Sequence, residues 1–287
     1  MNKPFKILGV LSMSFVLLSS CGNETNSSSN EKSNDKEHSS SNKKEIKKVE
    51  FSKYISNNEH VFYKINTGSM ITNDMIADGN EHDGISIKDL GETTVDNSSI
   101  LKNIIATKDG QTRDFNIDFS KNETYNFKSF SKYKGSELTN KLIKAETKQG
   151  EDSNNSEASA FVNPKQLLFT EKDKPDRMYF QFNNDTSIAD EKEEIKKNGS
   201  SYNSYNTSIK PFKYNDKYYS GLADAHYNEE DGELTVNHIL ITEIANKNQQ
   251  IVLDNKEKFN DDEIIRYEDT DKAKKEQEKE EDNVDNL

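Results

Sequence analysis

The densest group of oxygen and imidazole side chains lies at residues 78–84, which read Asp-Gly-Asn-Glu-His-Asp-Gly. Carboxylates and imidazoles crowded into one turn could bind Ca²⁺ or Zn²⁺. A calcium loop of the EF-hand type needs an acidic or amide ligand at its fifth position and glycine at its sixth. Those positions hold His82 and Asp83 here. Asp78, His82 and Asp83 are therefore weak metal-ligand candidates, and a polar turn is the favoured interpretation.

Asp224 and His226 are further residues whose side chains could take part in acid–base chemistry or bind a metal. Residues two apart on a strand point to the same face of the sheet, so the two side chains are expected to meet. With the acids at 229–231 they could form an acid–base or metal cluster. They too are weak candidates, because polar residues at the edge of a hairpin give the same pattern.

Motifs that define catalytic sites are missing from the sequence. It contains no G-x-S-x-G, no H-E-x-x-H, no phosphate-binding glycine loop and no dinucleotide fingerprint. Ser129 and Lys132 match S-x-x-K, but the companion K-T-G is missing. The sequence therefore predicts no catalytic residue, no cofactor and no committed metal site, and it favours a protein that is not an enzyme.

Cys21 is the only cysteine in the chain, so no disulfide can form within it. It follows two early lysines, Lys3 and Lys6, and an apolar run over residues 7–18. That run is too short to span a bilayer stably and fits the apolar region of a secretory signal. With Leu18-Ser19-Ser20-Cys21 as its end, the segment resembles the signal peptide and lipobox of bacterial lipoproteins.

The resemblance implies a lipid anchor on Cys21. In that family the cysteine thiol receives a diacylglyceryl group, and signal peptidase II then cuts before it, here between Ser20 and Cys21. Two acyl chains hold a protein on a bilayer stably, whereas one holds it only marginally. We therefore expect a palmitate-bearing protein on the outer face of the cell membrane of a Gram-positive bacterium.

Charge argues against a nucleic-acid partner. The chain has 287 residues and a formal net charge of −13, whereas affinity for a phosphate backbone comes from clustered Lys and Arg. The nearest thing to a basic block is Lys43-Lys44 with Lys47-Lys48. A solvated linker is favoured over a membrane-binding patch as its interpretation.

Composition divides the chain into four segments. Residues 1–20 are the signal peptide, and residues 21–50, rich in Ser, Asn, Lys and Glu, are predicted to be a lipidated, disordered tether. Residues 51–266 are predicted to form a β-rich extracytoplasmic domain, with a split near the polar loop 147–158 as the alternative. Residues 267–287 form a charged tail, either helical or disordered.

Hydrophobic periodicity predicts an α+β fold that is predominantly an antiparallel β-sheet with one or two short helices. Asp109-Gly110 predicts a hairpin within a three-stranded meander over 99–130, in which 114–119 alternates cleanly. Asp231-Gly232 predicts a second hairpin. A helix over 188–197 is expected to be capped by Ser187, and 199–210 is expected to be a loop.

These features favour a membrane-anchored extracytoplasmic lipoprotein with a non-catalytic binding or envelope-accessory role. Its partner would be a protein or a cell-wall glycan, and the tyrosines between 202 and 227 are candidate contacts. The alternatives are a metal-assisted envelope hydrolase and the substrate-binding lipoprotein of a transporter. The transporter alternative is weakened because no alternation of strands and helices is apparent.

Overall fold

A computed structural model describes residues 45–68, 75–77, 84–88, 90–153, 160–170, 172, 175–184, 187–198, 203–227 and 234–284. Residues from 44 onward form one compact unit. Cys21 and the predicted signal and tether up to 44 lie outside the described residues, as do Asp78, His82 and Asp83. None of the described helices combines the length and apolarity needed to cross a bilayer.

Fourteen strands and six α-helices make up the described part of the chain. The strands are β1 Lys47–Glu50, β2 His60–Asn66, β3 Met75–Ala77, β4 Ile85–Ile87, β5 Leu101–Lys108, β6 Gln111–Asp114, β7 Lys165–Thr170, β8 Arg177–Gln181, β9 Ser204–Tyr205, β10 Thr207–Tyr214, β11 Lys217–Tyr227, β12 Leu234–Ile244, β13 Gln249–Val252 and β14 Ile264–Arg266. The helices are α1 Phe51–Ile55, α2 Glu92–Asp96, α3 Phe127–Phe130, α4 Gly135–Ser153, α5 Ile188–Asn198 and α6 Asp271–Val284.

The centre of the fold is an eight-stranded sheet in the order β3-β4-β10-β11-β12-β2-β5-β6, in which only the β10–β4 pair is parallel. The smaller sheet has the order β14-β7-β8-β9, and β1 pairs with β13 in parallel. The predicted α+β class with a mainly antiparallel sheet is confirmed.

Strand β12 lies inside the large sheet and is apolar on both faces, as its sequence indicates. Ile239 and Ile241 face one core, and Leu240 and Ile244 face the other. The register with β11 slips so that Asp224 pairs with His238 but Ala225 pairs with Val236. This bulge turns Val236 toward the same core as Ile239.

The first core lies between the large sheet and helices α2, α3 and α4. Helix α4 contributes Leu138, Leu142 and Ala145, which are spaced to fall on one helix face and are all buried. The second core lies between the opposite face of the sheet, helix α1 and the small sheet. Its buried aromatic residues are Phe51, Tyr54, Phe62, Phe180, Phe182 and Tyr205.

The hairpin at Asp109-Gly110 is confirmed. Lys108 pairs with Gln111, and both turn residues have positive φ, 52° and 80°, as a two-residue type I′ turn requires. The third strand of the meander is wrong, because helix α3 lies at Phe127–Phe130. The second strand is shorter than predicted. Strand β6 ends at Asp114, although burial still alternates beyond it: Phe115, Ile117 and Phe119 are buried in the first core, and Asn116 and Asp118 are exposed.

The prediction of a polar loop over 147–158 is wrong for the part of this segment that the structure describes. Helix α4 continues to Ser153, and residues 154–158 lie outside the described residues. The buried face of the helix ends at Ala145 and Glu146, and Thr147 and Lys148 beyond it are exposed, so no apolar periodicity marks the continuation of the helix in the sequence.

Two further segments differ from the predictions. The loop expected at 199–210 contains β9 and the start of β10. Residues Lys47–Glu50, assigned to the tether from their charge, form strand β1, because backbone pairing with β13 outweighs their polar composition. The charged tail is helical over α6, one of its two expected states.

Other predictions are confirmed. Strands β11 and β12 pair as the second hairpin, although its turn lies outside the described residues. Helix α5 is capped as predicted: the Asp190 backbone N–H donates to Ser187 Oγ at 3.1 Å.

Candidate functional site

The structure brings Asp224 and His226 together, as predicted, at the end of β11. His226 Nε2 lies 3.3 Å from Asp224 Oδ1, and Arg177 Nη1 donates to the same oxygen at 2.5 Å. Arg177 Nη2 contacts the His226 ring nitrogens at 2.9 and 3.2 Å. The guanidinium, whose role the sequence does not reveal, is buried and comes from strand β8 of the other sheet.

The second oxygen of Asp224 is also occupied. Asn237 Nδ2 donates to Oδ2 at 2.8 Å, and His238 Nδ1 lies 3.8 Å away. Burial alone would raise the pKa of Asp224, but the hydrogen bond from His226, the charge of Arg177 and the hydrogen bond from Asn237 together hold it well below its ordinary value. Asp224 is therefore a fixed carboxylate at neutral pH.

Lys64 and His238 continue this buried polar network toward β5. Lys64 Nζ donates to Asn203 Oδ1, and burial lowers the pKa of Lys64 to about 8 despite the nearby carboxylates of Asp114 and Asp224. His238 is buried and hydrogen-bonded to the Ser204 carbonyl at 3.1 Å. Burial, then the charge of Lys64, lowers the pKa of His238 to about 4.

This network suits a structural role better than catalysis or metal binding. The Asp224 oxygens face Arg177, Asn237 and the two histidines, so the carboxylate has little capacity left for an ion. Among the described residues, no group of three His, Cys, Asp or Glu side chains is arranged to hold a metal. The weak candidates Asp78, His82 and Asp83 lie outside those residues, and so does the lipidation candidate Cys21.

The tyrosines do not form an exposed contact surface where the structure describes them. Tyr205 and Tyr219 are core residues that are 0% and 1% exposed, and Tyr214 and Tyr218 are half-buried. The hydroxyl of Tyr205 is buried without a hydrogen-bond partner among the described residues. Burial therefore raises the pKa of Tyr205 far above its ordinary value.

An open groove of about 720 Å³, which we call the β1 groove, lies beside strand β1. Strand β1 and helix α1 form one side, and the turn before α4 and the end of β12 form the other. Its lining residues are 47–50, 53, 54, 57–61, 63, 133–135, 138, 219, 242–245, 249 and 252.

Glu243 organises one wall of the β1 groove. Its carboxylate contacts Lys134 Nζ at 3.0 Å and Lys217 Nζ at 2.9 Å, and Lys217 also donates to the Ser131 carbonyl at 2.6 Å. Burial would raise the pKa of Glu243, but these two lysines lower it below its ordinary value. The wall is thus fixed by ion pairs before any ligand arrives.

The opposite wall is aromatic. Tyr54 and His60 stack with ring centroids 4.0 Å apart, and Tyr54 Oη donates to the Glu243 carbonyl at 2.8 Å. Burial lowers the pKa of His60, so its ring is neutral at pH 7 and adds no charge to the groove.

The lysines near β1 are only partly neutralised. Glu50 pairs with Lys258 at 2.7 Å, whereas Lys47 and Lys53 form no ion pair with any described residue. The sequence shows the Lys47-Lys48 pair but not the groove, because its walls come from segments almost 200 residues apart.

The comparisons with known proteins do not assign this fold to a class. No protein-family model matches the chain, and neither a curated protein nor a solved structure matches it. The functional argument therefore rests on the β1 groove, the buried network and the N-terminal sequence.

Proposed function

We propose that this chain is a lipid-anchored extracytoplasmic lipoprotein with a non-catalytic binding role and that the β1 groove is its binding site. The groove carries the proposal. Its volume of about 720 Å³ lies in the range of ligand sites, and the Glu243 ion pairs fix its wall in advance. A site that need not reorganise loses less free energy on binding.

The N-terminal sequence supports the anchor. The lipobox ends at Cys21, and residues 21–46 would separate a lipid from the domain by roughly 30 Å as a flexible coil. Strand β1 follows this segment directly and lines the groove, so the proposed anchor and site are neighbours along the chain.

The alternative of a metal-assisted hydrolase gains no support from Asp224 and His226. A metal or a substrate at Asp224 would have to displace Arg177 and Asn237 from the carboxylate. Removing one partner from a buried ion pair costs about 3–5 kcal/mol, which makes such a displacement unfavourable.

The anchor is tested by growing cells that express the full chain with radiolabelled palmitate. We expect label on the wild-type protein and its recovery in the membrane fraction, and neither for Cys21→Ser. Ser20→Ala, a small residue at the same cleavage region, is the control that should retain both. Label on Cys21→Ser, or an unlabelled wild type, would contradict the proposal.

The binding site is tested by capture of envelope components on the full chain. Ala245 is exposed and lines the groove, so the side chain of Ala245→Trp would obstruct part of it. Ala189 is exposed on α5, and Ala189→Trp is the matched control. We expect a component that the wild type and Ala189→Trp retain and Ala245→Trp loses. A component captured equally by all three would place the site elsewhere.

A further inference from the structure

Strand β1 is held along one edge. Among the described strands it pairs with β13 and with no other, through the four residues Lys47–Glu50. Lys47 and Lys48 are exposed, and Val49, which is half-buried, is the hydrophobic residue of β1 that packs against the second core. A strand with so few buried contacts opens more readily than the body of a fold.

The last residue of β1 is tied to the C-terminal part of the chain at the surface. Glu50 Oε1 accepts a hydrogen bond from the Asn255 backbone N–H at 3.1 Å, and Glu50 Oε2 accepts one from Lys258 Nζ at 2.7 Å. The side chains of Lys258 and Glu50 are 44% and 31% exposed. Ion pairs at such exposure contribute little to stability, so β1 can leave β13 without breaking a buried ion pair.

The chain is held firmly from the next residue onward. The Phe51 side chain is fully buried in the second core. The carboxylate of Asp254, which is also buried, accepts hydrogen bonds from the Ser52 backbone N–H at 3.1 Å and from Ser52 Oγ at 2.6 Å. The boundary between the loosely held and the firmly held chain therefore falls between Glu50 and Phe51, where β1 ends and α1 begins.

The β1 groove thus has one loosely held wall and one fixed wall. Residues 47–50 line it together with Gln249 and Val252 of β13. On the other wall, Glu243 is held by Lys134 at 3.0 Å and by Lys217 at 2.9 Å. Departure of β1 would widen the groove and uncover the edge of β13 while the Glu243 wall stays in place.

We propose that β1 is a movable wall that gates the β1 groove: Lys47–Glu50 leave and rejoin β13 as one unit, while α1 and the rest of the domain stay folded. This rests on the proposed binding role of the groove and adds its mode of control. The chain before Glu45 leads back to Cys21. A displacement of the segment that carries the proposed anchor therefore acts on β1 before it acts on any other described strand.

Native-state hydrogen exchange of the full chain carrying Cys21→Ser tests the motion without a ligand. The Lys47 backbone N–H donates to the Asn248 carbonyl at 2.7 Å and reports on the contact between β1 and β13. We expect its protection to be at least about a hundredfold lower than that of Ile241 in β12, and unchanged by low urea, because a local opening exposes little surface. Equal protection of Lys47 and Ile241 would overturn the proposal.

Two further amides define the unit that moves. The Val49 N–H faces the same way as the Lys47 N–H, because the two residues are two apart on a strand, so both should show the same protection. Ser52, beyond the boundary, should be protected like Ile241. Protection that rises gradually from Lys47 to Val49 would show fraying of a chain end, and joint exchange of Lys47 and Ser52 would show a larger opening. Either result would overturn the proposal.

A reversible cross-link tests whether the motion gates the groove. Lys47 and Gln249 are partners in the parallel ladder, and neighbouring strands lie about 4.8 Å apart, which is within the range for a disulfide. In a full chain with Cys21→Ser, Lys47→Cys and Gln249→Cys, oxidation after capture of the envelope component should slow its release at least about fivefold. The reduced form of the same chain is the matched control. Equal release from the two forms would overturn the gate.

Failure of the gate and failure of the binding role give different results. Local exchange of β1 in a chain that captures no envelope component would contradict the binding role, and the gating with it, but not the motion of β1. Capture that Ala245→Trp loses, in a chain whose β1 amides exchange only on global unfolding, would support the binding role and overturn the gate.

Discussion

At the scale of single residues, the most consequential feature is the set of charges enclosed between the two sheets. Lys64, Arg177 and Asp224 are each 4–5% exposed, and His238 is 8% exposed. Opposite charges compensate each other there, but each group still loses hydration. The pKa values of Lys64 and His238 are both lowered, so neutral forms are favoured relative to water. Stability must therefore depend on pH.

Because of the lowered pKa of Lys64, we expect the free energy of unfolding to increase as the pH rises above 8. Its pKa is about 8 in the folded chain against an ordinary 10.5, so the unfolded chain binds more protons between these values. Stability rises with pH wherever that is true, here by about 1.5 kcal/mol from pH 8 to 9.5. Urea unfolding at several pH values measures it.

The control for this prediction is Lys64→Met, which keeps the length of the side chain but cannot titrate. The difference between wild type and variant should change with pH as stated, and a constant difference would contradict the prediction. The measurement should stop near pH 9.5, because buried tyrosines such as Tyr63 have raised pKa values and begin to destabilise the fold as pH approaches 10.

Asp224→Asn is expected to destabilise the protein by about 3–5 kcal/mol, because it leaves the buried Arg177 guanidinium without its carboxylate. The same variant combined with Arg177→Met should recover part of that loss, since no uncompensated charge remains. Chemical denaturation of the two variants and the wild type measures both effects. A cost below about 1 kcal/mol for Asp224→Asn would show that the pair contributes little.

At the scale of elements, local signals were enough for the hairpins and for α5. Asp109-Gly110 specifies its own turn, and Ser187 caps its own helix, so neither depends on distant residues. The strand predicted over 114–119 was wrong in its length, because an alternating pattern does not show where a sheet ends, which is at Asp114 here. Strand β1 was not predicted, because its pairing partner β13 lies about 200 residues away in the sequence.

For the candidate sites, too, the sequence predicts contacts between nearby residues but not contacts between distant segments. The pairing of Asp224 with His226 follows from their spacing, but the contribution of Arg177 comes from a different sheet and carries no local signal. The β1 groove combines walls that only the tertiary fold brings together. The sequence could therefore reveal its lysines but not their common location.

Gly221 lies where strands β11 and β12 are in close contact, and a substitution there tests that contact. A Cβ at this position would lie 1.9 Å from the Leu240 carbonyl oxygen and 2.8 Å from the Ile241 Cα, both backbone atoms in the centre of the sheet. Gly221→Ala should therefore cost more than about 3 kcal/mol or prevent folding. Circular dichroism and thermal melting measure this.

Gly110→Ala is the contrasting variant for that experiment. Its φ of +80° disfavours a side chain, but the nearest atom to an added Cβ is 4.0 Å away. It should cost only about 1 kcal/mol, from backbone strain in the turn. Equal losses for the two variants would mean that strand contact at Gly221 is not what excludes a side chain.

At the scale of the whole molecule, β1 joins the N-terminal segment to the fold and to the groove. It pairs with β13, Val49 packs against the second core, and Glu50 contacts Asn255 and Lys258 of the C-terminal part. Residues at opposite ends of the sequence are thereby held together. A domain beginning at Phe51, the boundary that composition predicts, would lack this connection.

Two truncated chains test that connection, one beginning at Glu45 and one at Phe51. The longer chain retains β1 and should melt as the full chain does. The shorter chain uncovers the edge of β13 and the buried Ile251, and we expect a loss of at least about 2 kcal/mol from removed apolar burial and strand pairing. It also lacks one wall of the β1 groove, so it should retain less of the envelope component that the full chain captures. Equal melting temperatures would show that β1 is dispensable for the fold, and equal capture by the shorter chain would show that β1 is dispensable for binding.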